Sequence, residues 1–188
     1  TRCTSSAASD VYKRQDAAES IGAHVLRFVN GVVDPSDIEN APEGVTISAL
    51  ATDEDAMSHL RQMVPPAHPV SDLSLAVMSA GIIIDIKGRV DMPLMLSFEG
   101  DGAATSAHPV VFVRLFEGSY LQLAEWHAST AGLSAPLTGI DIAAGARLEQ
   151  VKVQTDGQAT THLAATGVTL GAGASIDGFS LSTGGRLA

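Results

Sequence analysis

The stretch from Thr138 to Leu181 says nearly the same thing twice, and that repetition limits the fold more than any other feature. Thr138-Gly139-Ile140-Asp141-Ile142-Ala143-Ala144-Gly145-Ala146-Arg147-Leu148 is echoed by Thr166-Gly167-Val168-Thr169-Leu170-Gly171-Ala172-Gly173-Ala174-Ser175-Ile176. A fainter copy comes first: Val113, Leu115 and Gly118 precede Ile140, Ile142 and Gly145 at nearly the same spacing. After each glycine a second apolar alternation follows, at Leu121 and Leu123, then Leu148, Val151 and Val153, then Ile176, Phe179 and Leu181. Each unit reads as strand, tight glycine turn, strand, longer loop. One such unit cannot bury both faces of its strands, whereas stacked units pair in parallel about 4.8 Å apart. The glycines recur where the chain must take φ values that β-branched residues refuse. The pattern gives a flattened parallel β-helix of about 28 residues per rung, preceded by a small α+β segment. An antiparallel sandwich of short, evenly spaced strands is the competing architecture.

Upstream of the repeat, Val25 to Val29, Asn30-Gly31 and Val32-Val33 spell a hairpin, because Asn-Gly supplies the two positive φ angles of a type I′ turn. Asp34 to Gly44, with Pro35 and Pro42, reads as loop, and Val45 to Leu50 as a third strand. Thr52 is placed to cap a helix whose apolar face is Ala56, Met57, Leu60, Met63 and Val64. Asp53, Glu54 and Asp55 complement its dipole, and Pro65-Pro66 stop it. A second helix is expected over Asp72 to Ala80, capped by Ser71 and stopped by Gly81. Ile82 to Ile86 and Pro93 to Phe98 are strands that form an earlier, degenerate rung.

Thr1 to Gln15 has neither periodicity nor caps. It resembles a translated sequencing adapter rather than a signal or transit peptide. The chain thus divides into a non-native segment 1–15, expected to pack poorly, an α+β segment 16–81 and a β-helix core 82–188. The core stops after a strand, at Gly184-Gly185-Arg186-Leu187-Ala188, so it reads as truncated at its C-terminal end and the chain as a fragment lacking both ends. Setting 1–15 aside removes Cys3, the single cysteine, and with it disulfides, thiolate metal sites and cysteine nucleophiles. It also leaves 8 basic and 20 acidic residues of the original 11 and 21, a formal charge of −12. Such a surface repels phosphate backbones and anionic lipid, so neither nucleic acid nor membrane is expected as a partner. No apolar run approaches the roughly eighteen residues of a membrane span, and a cytoplasmic location is expected.

No residue of the sequence is assigned a catalytic, cofactor-binding or metal-ligating role. Glu125 and His127 flank Trp126, and alternate strand residues share a face, so the carboxylate could orient the imidazole. They read as an exposed pair without a third ligand. His68, His108 and His162 read as local hydrogen-bonders. No Gly-x-x-x-x-Gly-Lys-Ser/Thr loop occurs, and Gly171 to Gly173 opens no helix. Ser134, Ser175, Ser180 and Ser182 lack a nucleophile elbow. Asp141, Glu149 and Asp177 recur on the rungs as carboxylates do in β-helix enzymes acting on carbohydrate, but at positions expected to face water. With Trp126 the only tryptophan, surface for stacking sugars is scarce. A six-residue acyltransferase repeat fails as well: Leu170 and Ile176 are six apart, but the next position is Ser182, and the middle unit breaks at Gln154 after Ile142 and Leu148.

Taken in order, Thr138 to Gln154, then His162-Leu163-Ala164, then Phe179-Ser180-Leu181-Ser182-Thr183-Gly184-Gly185-Arg186-Leu187-Ala188 resemble the SufB/SufD family of iron–sulfur cluster assembly proteins, SufD being the closer match. Leu26 to Gly31, Ile82 to Ile86 and Pro93 to Leu96 agree, so the resemblance runs from about Val25 to Ala188. It implies a right-handed parallel β-helix flanked by helical segments. It also implies a non-enzymatic, SufD-like scaffold subunit that meets a SufB-like homologue and a SufC-like ATPase in a complex that assembles clusters and passes them to apoproteins. The family's cluster-related residues, including a histidine facing SufB, and its ATPase-binding helices lie beyond the portion matched here. No residue of this chain inherits them, and no cofactor is expected in this chain itself. The other readings are a carbohydrate-active β-helix enzyme and a generic interaction module.

Overall fold

Gly118, Gly145 and Gly173 all take left-handed φ angles, of 66°, 64° and 70°, and stand one above another at one corner of a solenoid. The Gly118 N–H donates to the Ala144 carbonyl and the Gly145 N–H to the Ala172 carbonyl, each at 3.0 Å. Among the described residues, a Cβ at any of the three would meet nothing within 4 Å. The turn therefore requires glycine for its backbone angle, not for space.

This computed structural model describes residues 18, 20–64, 69–78, 81–100 and 106–185. In chain order come β1 (His24–Val29), β2 (Val32–Val33), α1 (Pro35–Glu39), β3 (Val45–Ala49), a 3-10 turn (Leu50–Thr52), α2 (Glu54–Met63), α3 (Pro69–Val77), β4 (Gly81–Ile86) and β5 (Leu94–Gly100). The coils continue with β6 (Ser106–Ala107), β7 (Val110–Leu115), β8 (Tyr120–Ser129), β9 (Ala131–Ser134), β10 (Leu137–Ile142), β11 (Arg147–Gln154), β12 (Ala159–His162), β13 (Ala165–Leu170) and β14 (Ser175–Ser182). Sheet A runs β14-β11-β8-β5-β1-β2, sheet B β13-β10-β7-β4-β3, and sheet C β12-β9-β6. The rungs pair in parallel: Gly81 with Val110, Val110 with Leu137, Leu137 with Ala165. Successive coils thus lie about 28 residues apart. The fold is the expected parallel β-helix, and β4 and β5 are its earliest full rung, paired in parallel with β7 and β8.

The N-terminal strands extend the same sheets. β1 pairs in parallel with β5, and β3 lies antiparallel to β4. Asn30 (φ 52°) and Gly31 (φ 88°) make the expected hairpin turn. Inside the solenoid, Leu26, Leu94, Leu96, Ile82, Ile84, Val113, Ile140, Leu121 and Leu148 form one dry core. A second core lies outside sheet B, where Leu50, Ala56, Leu60 and Val64 pack on Ile83, Val110, Phe112 and Leu137. That packing explains the other repeated glycines. A Cβ at Gly139 would collide with Leu60 and crowd Phe112, and one at Gly167 would lie 2.9 Å from the Met63 carbonyl oxygen. These two glycines give α2 its seat.

Four local expectations are corrected. The segment after Asp34 contains α1 rather than loop alone. Asp34 caps it by accepting from the Ser36 N–H at 2.9 Å, and Pro35 sits where a missing N–H costs nothing. Asp53, not Thr52, caps α2: its Oδ1 accepts from the Ala56 N–H at 2.8 Å, while Thr52 closes the 3-10 turn. The second helix is α3, beginning at Pro69 and ending at Val77, and Gly81 opens β4 instead of stopping a helix. The longer loop of each rung holds a third short strand, which gives sheet C. These strands are only two or four residues long, too short to show a period. Segment 1–15, Pro65-Pro66, His68 and the closing Arg186-Leu187-Ala188 lie outside the described residues.

Candidate functional site

β8 is ten residues long and buries every second side chain. Leu121, Leu123, Glu125, His127 and Ser129 therefore all point into the solenoid. The first two are what a core demands; the last three are not. Glu125 is 1% exposed and His127 0%. This overturns the expectation of an exposed pair. The signal was present in the sequence, since both residues continue the phase of Leu121 and Leu123.

Parallel pairing stacks polar residues on this pair. Lys152 pairs with Glu125 and Gln154 with His127, while Leu96 and Phe98 lie on the other side. Gln150 Nε2 donates to Glu125 Oε1 at 2.6 Å, and Lys152 Nζ stands 3.5 Å from Glu125 Oε2. Burial alone would raise the Glu125 pKa. The His127 imidazole, the Lys152 ammonium and the Gln150 amide outweigh it and bring the value down to about 2. His127 Nε2 lies 3.4 Å from Glu125 Oε2 but is not aligned for a hydrogen bond, so the ammonium and the amide are the firmer partners. Burial holds the His127 pKa below the usual imidazole value.

The sheet C corner closes the cluster. Asp156 Oδ1 accepts from the Ser129 N–H at 2.6 Å and Oδ2 from Gln154 Nε2 at 3.0 Å, and His162 Nδ1 lies 2.9 Å from Oδ2. Burial acts to raise the Asp156 pKa, and His162, the Ser129 amide and Gln154 together lower it. The His127 ring stacks on Phe98 at 4.7 Å and meets the His162 ring edge-on at 4.9 Å. Among the described residues neither His127 nitrogen has a hydrogen-bond partner, nor do Glu125 Oε2, Gln154 Oε1 and His162 Nδ1. A polar atom left so costs about 1–3 kcal/mol, and several together at one buried corner make it the best candidate site among the described residues. Chemically the corner can hold or pass a proton and can accept small hydrogen-bonding species. It offers oxygen and nitrogen, and no thiol. Among the described residues no three His, Cys, Asp or Glu stand close enough together to hold a metal ion.

The other residues singled out from the sequence are dispersed. His162 joins the cluster. His108 lies apart, between Ser74 and Ser106. Asp141 is on the outer face of sheet B, 3.8 Å from His59 and hydrogen-bonded to Thr169. Glu149 and Asp177 lie outside sheet A and share Arg147, and Glu149 also accepts from Tyr120 and Gln122. These three carboxylates face outward, as the alternation requires, and do not converge. Ser134 is buried, while Ser175, Ser180 and Ser182 are exposed on the last rung. The outer face of sheet A also carries an apolar groove of about 680 Å³, lined by Met95, Trp126, Val151, Val153 and Phe179, in which Val151 is 46% and Phe179 62% exposed.

Residues 98–188 match the family model of the SUF system FeS cluster assembly, SufBD core domain. The match covers the last three coils and takes in Glu125, His127, Asp156 and His162. None of the curated proteins compared with the chain matches it.

Proposed function

We propose that this member of the SufB/SufD family, which has a role in iron–sulfur cluster assembly at that level, is a SufD-like scaffold subunit that is not an enzyme of cluster assembly. In this reading it works in the cytoplasm through protein–protein contacts, with a SufB-like homologue and a SufC-like ATPase as partners. The cluster is cargo of the assembled complex, not a resident group of this chain.

The observation that carries the reading is the match of residues 98–188 to the core domain of that system, on a chain whose sole cysteine is Cys3. Nascent clusters are normally held by several thiolates, and one such residue, remote in sequence from the matched coils, is a poor basis for a site. The apolar groove on sheet A supports a role in contacts, since exposed apolar patches of this kind mark interaction surfaces. No helix among the described residues is long and apolar enough to cross a membrane.

Tagged chain co-expressed with a SufB-like protein and a SufC-like ATPase is expected to co-elute with both on size exclusion. Incubated alone with ferrous iron and sulfide, it is expected to remain without a protein-bound cluster chromophore. Failure to retain either partner would reject the scaffold assignment. Stoichiometric cluster uptake by the isolated chain would reject the supporting role while leaving family membership untouched.

A further inference from the structure

His108 sits where β6 meets the next coil, 7% exposed, with a serine on each ring nitrogen. Ser74, on α3, is fully buried and donates its hydroxyl hydrogen to the Ala135 carbonyl oxygen at 2.9 Å. A serine has one such hydrogen. Toward His108 Nδ1, 3.1 Å away, Ser74 can therefore only accept, and Nδ1 must carry the ring proton. That leaves Nε2 as a lone pair, 2.5 Å from Ser106 Oγ. Ser106 is exposed to solvent. The three residues thus run from a buried anchor, through an oriented imidazole, to an accessible hydroxyl, which is the order that nucleophilic catalysis requires. Pairing of β6 with β9, Ser106 to Leu133 and Ala107 to Ser134, fixes the strand that carries both Ser106 and the approach to His108.

We propose that Ser106 is an activated nucleophile that accepts acyl groups from small activated esters or thioesters, with His108 Nε2 as its general base and Ser74 as the residue that positions the ring. In the step itself Ser106 Oγ bonds to the acyl carbon as the bond from that carbon to the leaving alkoxide or thiolate breaks. The Oγ proton passes to His108 Nε2 and from there to the leaving group, giving a seryl ester and a free alcohol or thiol. In the second step water gives a proton to the same nitrogen as its oxygen bonds to the acyl carbon, the bond from that carbon to Ser106 Oγ breaks, and the proton passes from Nε2 to Oγ, which frees the carboxylic acid and restores the serine. Burial lowers the His108 pKa from 6.5, so the ring is neutral and able to act as a base at physiological pH. This site is independent of the scaffold role and does not rest on it.

p-Nitrophenyl acetate added to the full chain tests the assignment. A burst of one equivalent of p-nitrophenolate is expected, with the acetyl group mapped by peptide mass spectrometry to Ser106. Its rate should rise with pH through an inflection below 6.5. Ser106→Ala should abolish the burst and His108→Gln should slow it about 100-fold. Ser74→Ala should slow it about tenfold, since it acts only through the ring, and Ser74→Thr should restore it. Should His108→Gln fail to fold, the pH profile of the unaltered chain decides the matter. No burst, acetylation spread over other exposed serines such as Ser175 and Ser182, or a Ser106 rate indifferent to pH and to His108 would overturn the proposal.

Discussion

Within a single coil the two ends of the sheet A strands are built from opposite chemistry. At the glycine-turn end Leu121, Leu148 and Ile176 stack in register beside Ile142 and Ala146, and the corner is dry. Further along the same strands, Glu125 and His127 stack on Lys152 and Gln154, facing Asp156 and His162. Both ends belong to the same sheet and have the same pleat. The difference teaches that the ladder of backbone hydrogen bonds sets the architecture and tolerates either filling, so that the interior side chains at one corner are free to serve another end. The dry corner should answer to volume and the polar corner to charge.

The largest effect is expected from the dry corner. Leu148 is fully buried between Leu121 and Ile176, and Leu148→Ala removes apolar contacts and leaves a cavity, for a loss of about 3 kcal/mol in urea unfolding at pH 7. A loss under about 1 kcal/mol would mean that this corner is loosely filled and that the contrast is false.

Next comes the charge at the polar corner. Lys152→Met keeps the stem and removes the ammonium, leaving the Glu125 carboxylate buried with the Gln150 amide as its hydrogen-bond donor among the described residues. Removing one member of a fully buried pair costs about 3–5 kcal/mol. The Lys152 side chain is 20% exposed, so solvent tempers the effect to about 2 kcal/mol. Adding Glu125→Leu to Lys152→Met should recover most of that loss, because an apolar pair needs no partner. A double variant as unstable as the single one would show that Glu125 matters for its shape and not for its charge.

The architecture was legible in the sequence, and the polar corner was not, for one physical reason. Strand pairing is periodic, so Gly139 and Gly167, or Ile140 and Val168, report the coil from one full turn apart. The side chains that fill the polar corner are not periodic: Glu125 stacks on Lys152 and then on Ser180, His127 on Gln154 and then on Ser182. Such a column carries no repeat, and composition places Glu and His on the surface. Only the alternation within β8, carried on from Leu121 and Leu123, could have placed them inside. The short strands of sheet C, which bring Asp156 and His162 to the corner, were hidden in a loop of polar residues. The Ser74–His108–Ser106 arrangement joins residues from a helix and a strand end, and no local pattern links them.

Acid should separate the corners as well. The folded pKa values of His127 and His108 lie below 6.5, so the unfolded chain binds more protons as pH falls under 6.5. Stability is full above that value and declines below it, by about 1.4 kcal/mol per pH unit for each histidine until its folded pKa is reached. A second decline begins as pH falls through 4.5, where unfolded Glu125 takes up a proton while folded Glu125, at about 2, does not. Asp156, also depressed, adds to it below 3.8. Unfolding free energies measured from pH 7.5 to 4 should show the first decline, and His127→Leu should roughly halve its slope. That substitution replaces an imidazole without hydrogen-bond partners by an apolar group, and it should be near neutral at pH 7. An unchanged slope would place the acid sensitivity outside the polar corner.

The smallest effect sharpens what the dry corner owes to its turns rather than to its filling. Gly145 takes φ 64° in open space, with nothing within 4 Å of an added Cβ. Gly145→Ala therefore introduces no clash and should cost only the left-handed strain, about 1 kcal/mol. Gly178, on the exposed β14 strand, has ordinary φ and meets only the Gln150 carbonyl oxygen at 4.0 Å. Gly178→Ala should lie within about 0.5 kcal/mol of the parent. If both substitutions were equally mild, the stacked turns would owe nothing to glycine's angle. The dry corner would then be held by Leu148 and its neighbours alone, and the repeated glycine would be a consequence of the stack instead of a condition for it.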